Sequence, residues 1–215
     1  MKQLKVLLLN GSTNKHGNSE EVLNYASERL KEAGILPEIF WIGPDHIHEC
    51  KFCHRCLDTG KCVIEDSVND FVEKAGEADG FIFASPVSRI GRGGSVASFV
   101  ERSLFVNEDA FRLKPAAVVT LAKRTADAPS QDMLNKHLTD SELLMIASKH
   151  WNIGSSGRET ADLFRNKENV RVICTIVNSM VYYLKCIEAV REAGVECPEK
   201  IRSAFDVPKP DREVF

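Results

Sequence analysis

The chain has 215 residues, 43% hydrophobic and 27% charged, with a formal net charge of −3. That length suits one domain with extensions, and the composition is too apolar for a disordered chain. Acidic and basic residues are interspersed with no sustained basic stripe, which argues against nucleic acid as a partner.

The apolar start of the chain is short and runs into Asn10-Gly11-Ser12, not into a small-residue cleavage site. No uninterrupted run of about 18 apolar residues follows. The expectation is a cytoplasmic protein that does not engage a membrane. Seven cysteines are present, and four of them (Cys50, Cys53, Cys56, Cys62) crowd into one short stretch. Clustering of that kind points to metal binding or redox use, since a secreted disulfide scaffold spreads its cysteines along the chain.

In chain order, residues 4–9 read as a buried strand ended by the turn Asn10-Gly11-Ser12. Asn18, three residues before Glu21, is a capping-box pattern that opens a helix. Val22, Ala26, Leu30 and Ala33 form its apolar face, and Gly34 stops it. Residues 36–42 read as a second strand, completing one β-α-β unit of parallel type.

The cysteine segment 46–64 stands where a short loop is expected. Ser67 with Asp70 then opens a helix whose inner face is Phe71, Val72, Ala75 and Ala78. Residues 80–84 are a third strand, apolar on both faces and therefore central. A helix follows over 95–106, with Val96, Phe99, Val100 and Leu104 on one side, and then a fourth strand over 116–121. Residues 130–149 read as helical and 151–154 as a candidate fifth strand. A long helix runs over 170–191 and ends near Gly194. The polar tail 198–215 carries three prolines and reads as a surface extension. This alternation implies an open, doubly wound sheet, in which ligands bind beyond the carboxyl ends of the strands.

The segment from Asn10 to Ser19 lies at such an end. It is rich in glycine and in small hydroxyl and amide side chains, and it feeds a helix N-terminus. Backbone N–H donors, close approach and the positive end of a helix dipole together suit a phosphate. The G-x-G-x-x-G spacing of a dinucleotide site is absent. Against G-x-x-x-x-G-K-[ST], the two glycines are one residue further apart and Asn18 stands where the lysine belongs, which disfavours a triphosphate. A single terminal phosphomonoester, such as that of FMN, fits better. The alternative is an ordinary solvated loop with capping residues. Lys15 and His16 read as surface residues.

The cysteine spacing is C-x2-C-x2-C-x5-C, following the logic of ferredoxin-type runs. Here, however, Val63 and no proline follows the last cysteine, and all four thiols are local. A cluster, zinc and no metal at all remain open on spacing alone. Cys174 and Cys186 read as core residues, and Cys197 has no inferable role.

Asn10-Gly11-Ser12, Gly17-Asn18-Ser19, the four clustered cysteines with Gly60-Lys61, and Ser85-Pro86-Val87 together resemble the NADPH-dependent FMN reductase family. Within it, the likeness is to the iron–sulfur flavoprotein branch, and it extends over about residues 4–195. The resemblance implies a flavodoxin-like, three-layer α/β fold with a five-stranded parallel sheet of order 2-1-3-4-5. It implies one FMN-binding domain over 1–195, with the cysteine loop 46–64 inserted, and an extension over 196–215.

Ser12, Thr13, Gly17, Asn18 and Ser19 match the loop that holds the FMN phosphate. Pro86, Val87, Ser88, Arg89 and Gly91 match the segment edging the isoalloxazine ring, and Ala122, Lys123 and Arg124 match a second ring-side loop. Arg89, Lys123 or Arg124 could stabilise the reduced flavin near N1, or be surface charges. Cys50, Cys53, Cys56 and Cys62 match the branch's ligands for a 4Fe–4S cluster.

The departures fall on the ring pocket. Ser88 replaces a usual aromatic residue, Ala97 and Glu101 a usual Lys and Asp, and Thr125-Ala126-Asp127-Ala128 a Gly-Gly stretch. The implied function is electron transfer through FMN and the cluster, with NAD(P)H or a small redox protein as donor. A homodimer or homotetramer is implied as well. No side-chain acid, base or nucleophile is required. The alternatives are a flavin-only NAD(P)H-dependent reductase of quinones, nitro compounds or free FMN, and a non-catalytic redox-sensing module using thiols or zinc.

Overall fold

The computed structural model describes residues 3–88, 91–92, 94–122, 128–149, 153–155 and 161–200. The chain divides into two compact units, Met1–Leu184 and Lys185–Phe215. The second comprises, among described residues, the end of a long helix and an irregular stretch to residue 200.

The strands are β1 (Lys5–Asn10), β2 (Leu36–Trp41), β3 (Gly80–Ser88), β4 (Gly91–Arg92), β5 (Pro115–Ala122), β6 (Leu144–Met145) and β7 (Ile153–Ser155). The helices are α1 (Asn18–Glu32), α2 (Arg55–Thr59), α3 (Ser67–Glu77), α4 (Gly94–Val106), α5 (Ala128–Asp140), α6 (Ala161–Arg165) and α7 (Lys167–Glu192). The sheet runs β2-β1-β3-β5-β6, all parallel, with β7 also parallel to β5 and β4 folded back antiparallel on β3.

The expected order 2-1-3-4-5 is therefore present, with β5 in fourth place. The fifth place is divided: β6 pairs with the start of β5 at Pro115 and Ala116, and β7 with its end at Thr120–Ala122. Two segments this short carry little periodicity, which is why the sequence shows this edge only faintly.

Alternation along each central strand sorts the two cores. Leu7, Leu9, Phe81, Phe83, Ala116 and Val118 face α3, α4 and α5, where Phe71, Val72, Phe99, Val100, Leu134 and Leu138 meet them. Val6, Leu8, Ile82, Ala84, Ala117 and Val119 face α1 and α7, where Val22, Leu23, Ala26, Leu30, Ile173, Ile176, Val177 and Met180 meet them. Phe71 anchors the first core, its ring 5.1 Å from that of Phe99 and 5.3 Å from that of Phe40. By length and composition α7 could span a membrane. In the first unit, however, its Val172, Ile173, Ile176, Val177, Met180 and Leu184 are buried in this second core.

Helix boundaries differ from the sequence reading at three places. The residue preceding α1 is Gly17, with no side-chain cap, so Asn18 begins the helix and does not cap it. Asp66 caps α3, accepting from the Val68 N–H at 3.2 Å, and Ser67 is its first helical residue. The helix expected over 130–149 stops at Asp140, because Glu142 adopts a left-handed φ of 55° and Leu143 N–H bonds back to the Leu138 carbonyl at 3.2 Å. This is a helix-ending geometry that usually falls to glycine.

Candidate functional site

Asn10 closes β1 between Trp41 of β2 and Ala84 of β3, so the turn after it opens at the carboxyl end of three adjacent strands. Its buried amide holds that turn from within: Oδ1 accepts the Ser12 N–H at 3.1 Å, and Nδ2 donates to the Lys15 carbonyl at 3.2 Å. Trp41 Nε1 donates to the Ser12 carbonyl at 2.7 Å, and the Lys15 ammonium lies 5.5 Å from the Trp41 ring centroid. Gly11 N–H donates to the Ala84 carbonyl at 2.8 Å. A Cβ on Gly11 would lie 2.8 Å from Val96 Cγ2 and 2.9 Å from that same carbonyl, so only glycine lets the turn sit this close to β3 and α4.

The turn delivers Gly17, extended at φ −141°, to the start of α1, whose first helical bond joins Glu21 N–H to the Gly17 carbonyl at 3.2 Å. The amides of Asn18, Ser19 and Glu20 therefore have no acceptor within the helix, and among the described residues the N-cap Gly17 supplies no side-chain cap. Ser12, Gly17 and Asn18 are half-buried around this end, Ser19 is buried and Thr13 is exposed. Three such donors, a helix dipole and small polar side chains are the elements a candidate anion site needs. Of the two carboxylates in the first turn, Glu20 and Glu21, Glu20 is engaged by His16 Nδ1 at 2.9 Å. His16 is a surface residue, as expected from the sequence, with its side chain 80% exposed.

Beside the turn, Pro86 and Val87 are half-buried, and the backbone of Ser88 pairs with that of Gly91 in the β3–β4 hairpin. Ala122 is the last residue of β5, opposite Ser155 of β7. Arg89, Lys123 and Arg124 lie outside the described residues. The end of β5 is fixed by a buried pair of bonds: Thr120 Oγ1 donates to Gln131 Oε1 at 2.8 Å, and Gln131 Nε2 donates to the Val118 carbonyl at 3.0 Å.

Cys50, Cys53, Cys56 and Cys62 all line one small pocket, together with Arg102 and Phe105. Their loop is wound by left-handed residues, Phe52 at φ 49° and His54 at φ 56°, each next to cysteines, and Gly60 at φ 68°. Such conformations are costly for side-chain-bearing residues and persist where the surroundings impose them. Phe52 N–H donates to Cys50 Sγ at 3.4 Å. Asn69 brackets Cys62, accepting its N–H at 2.8 Å and donating to its carbonyl at 3.0 Å. Burial pushes the Cys56 thiol up, and the neighbouring charges of Cys62, Cys50 and Cys53 push it the same way. Four sulfurs so placed need a cationic group or strong donors to be held together as thiolates. Among the described residues, no three His, Cys, Asp or Glu side chains converge closely enough to hold a single metal ion.

Three site features escaped the sequence reading. Trp41 ends a strand and gave no sign of reaching the Ser12 carbonyl. Gly11 was part of a motif, but its close approach to Val96 depends on the fold. Arg102 is buried on α4, 1% exposed, and donates to Cys62 Sγ at 3.1 Å. A signal for it existed: it is a charged residue embedded in an apolar helix, between Val100 and Leu104. Cys174 and Cys186 are half-buried and not core, Cys174 lying 3.5 Å from the Tyr25 hydroxyl.

The model of one family, the NADPH-dependent FMN reductases, matches residues 4–157. An iron–sulfur flavoprotein of Methanosarcina thermophila is 32% identical over 111 residues, 52% of this chain and 58% of that one. The chain thus spans little more than half the length of that relative. Among solved structures, RosB with bound 8-demethyl-8-formylriboflavin-5'-phosphate superposes with a TM-score of 0.64 at 15% identity, over 99% of this chain and 96% of that one. An archaeal flavodoxin superposes with a TM-score of 0.56 at 6% identity, over 85% of this chain and 99% of that one. These two likenesses concern the fold, which is flavodoxin-like.

Proposed function

The chain belongs to the NADPH-dependent FMN reductase family, and from that premise we propose that it is an FMN-dependent oxidoreductase whose cysteine quartet holds a 4Fe–4S cluster. The observation that carries the flavin reading is the uncapped start of α1 beneath a turn braced by Asn10 and Trp41. The amides of Asn18, Ser19 and Glu20, with the Ser12, Thr13 and Ser19 hydroxyls and the Asn18 amide, would hold the phosphate. Pro86, Val87, Ser88 and Gly91 would edge the ring on one side and Ala122 on the other. Arg89, Lys123 and Arg124 are proposed to supply positive charge near the ring.

The cysteine pocket fits the second group. All four thiols line one pocket, and soft sulfur ligands at ferredoxin-type spacing suit an iron–sulfur cluster. Phe52 N–H and Arg102 donate to sulfur, and Asn69 fixes the backbone of the last ligand. When bound, FMN exchanges one or two electrons and a cluster one at a time, so the pair would couple a hydride donor such as NAD(P)H to a one-electron carrier. The protein's part is to bind, orient and shield; no side chain is assigned a proton transfer. The reading includes a cytoplasmic homodimer or homotetramer. The exposed apolar side chains of Phe52, Leu57, Val63 and Phe105 near the cysteine pocket support a covered face there.

A flavin-only NAD(P)H-dependent reductase is the second reading, favoured by the lack of three converging metal-ligating side chains among the described residues. Anaerobic purification with flavin, iron, sulfide and zinc assays separates the two. The first reading expects one FMN and iron with sulfide in equal amounts; the second expects FMN alone. Ser19→Arg fills the phosphate site and is expected to abolish flavin retention with far-UV circular dichroism unchanged. Flavin retained in that variant would refute the phosphate assignment.

A further inference from the structure

Arg102 is the largest fully buried side chain among the described residues, and a charge in that position needs partners. It has them on both sides of the cysteine loop. Nη1 donates to Asp66 Oδ2 at 2.5 Å and to the His48 carbonyl at 3.2 Å, ahead of Cys50. Nη2 donates to Asp66 Oδ1 at 3.0 Å, to Cys62 Sγ at 3.1 Å and to the Ile64 carbonyl at 3.4 Å, beyond Cys62. Asp66 in turn caps α3. One planar fork therefore ties the entry and the exit of the loop to α3 and α4 and points a donor at a sulfur, a geometry a lysine cannot reproduce. Its Nε is buried with no hydrogen-bond partner among the described residues.

We propose that Arg102 is a positioning residue for the group bound by the quartet: its fork closes the loop and, by donating to Cys62 Sγ, raises that group's reduction potential. The inference rests on the cluster reading above. Adding an electron adds negative charge, and a fixed donor or cation beside a ligand sulfur stabilises the reduced form more than the oxidised one. A surface arginine would do little, because water screens it; this one is enclosed, where the interaction is strong. Asp66 offsets much of the net charge, so the directional N–H···S bond is the main lever.

The test compares anaerobically purified wild type with Arg102→Lys and Arg102→Met, reading iron, sulfide and flavin per chain, melting temperature, and midpoint potential by spectroelectrochemical titration. The expected result is flavin retained in both variants and a potential below wild type, lower in Met than in Lys. Iron lost from a flavin-loaded Arg102→Lys also supports the proposal, since the quartet is then not held without the fork. Iron and flavin lost together with a collapsed melting temperature, in Lys as in Met, would mean a purely architectural arginine and overturn it. So would iron-loaded variants of unchanged potential. A wild type that binds no iron under these conditions overturns the cluster reading first and this inference with it.

Discussion

Trp41 Nε1 donates to the Ser12 carbonyl at 2.7 Å, so the end of β2 fixes the turn that leaves β1. The two residues are 29 positions apart in the chain and are brought together by the Asn10↔Trp41 register of β1 and β2. That bond orients the Ser12 peptide, and the turn beyond it leads to the start of α1. Trp41→Phe keeps the ring and removes the donor. The expected outcome is FMN affinity weakened about tenfold, the equivalent of roughly 1.4 kcal/mol for one hydrogen bond, with the melting temperature little changed. Fluorescence titration of the apoprotein reads it, and equal affinities would remove Trp41 from the site.

Gly11→Ala tests the close approach of the turn to β3 and α4. The added methyl meets a backbone carbonyl at 2.9 Å, which cannot move aside cheaply, as well as Val96 at 2.8 Å. A stability loss of about 1–3 kcal/mol is expected, as for other overpacked sites, together with weaker flavin binding. Chemical denaturation measures the first effect. A variant as stable as wild type would show that the turn has room.

Cys62→Ser and Cys53→Ser separate the two sites. The cysteine loop and the phosphate turn share no hydrogen bond among the described residues. Each substitution is expected to remove at least half the iron while leaving one FMN per chain, by metal analysis and visible spectrum. Loss of flavin in parallel would show that the two sites fold as one.

Acid stability reports the Lys5–Glu38–Lys74 cluster at the outer edge of the sheet. Glu38 lies 2.7 Å from the Lys5 ammonium and 2.5 Å from that of Lys74. Burial pushes its carboxyl up, but the bonds from the two lysines outweigh this and hold it below the usual carboxylate range. A carboxylate with a depressed folded pKa contributes its stability above the unfolded value, about 4.3, and loses it as pH falls through the folded one. Lys5, raised chiefly by its bond to Glu38, contributes below the ordinary lysine value while Glu38 stays ionised, and at high pH loses that only in strong alkali. From pH 6 down to about pH 3, wild type should therefore lose more melting temperature than Glu38→Gln. Parallel curves would mean that the pair adds nothing.

Much of this was legible in the sequence because the signals were local. A buried strand followed by Asn-Gly-Ser, a glycine-bounded loop feeding a helix, and thiols at three-residue spacing each declare themselves within twenty residues. Alternation implied an open, doubly wound sheet with ligands at its carboxyl edge, and the family resemblance implied the strand order. What escaped was set by tertiary contact. The absence of a side-chain cap on α1 shows only in space, because Asn18 resembles a cap in sequence. Glu142 ends α5 without glycine, so no residue marks the boundary. The fifth sheet position is shared by strands of two and three residues. Arg102 showed only as a charge in an apolar helix, and its partners Asp66, His48 and Cys62 come together only in the fold.

The account depends on a phosphomonoester gripped by the start of α1. The direct measurement is to titrate the apoprotein with FMN and with riboflavin, which differ only in that phosphate. The account predicts FMN binding at least about 100-fold tighter, roughly 2.7 kcal/mol from charge-assisted bonds to helix amides and hydroxyls. Equal affinities for the two flavins would contradict it.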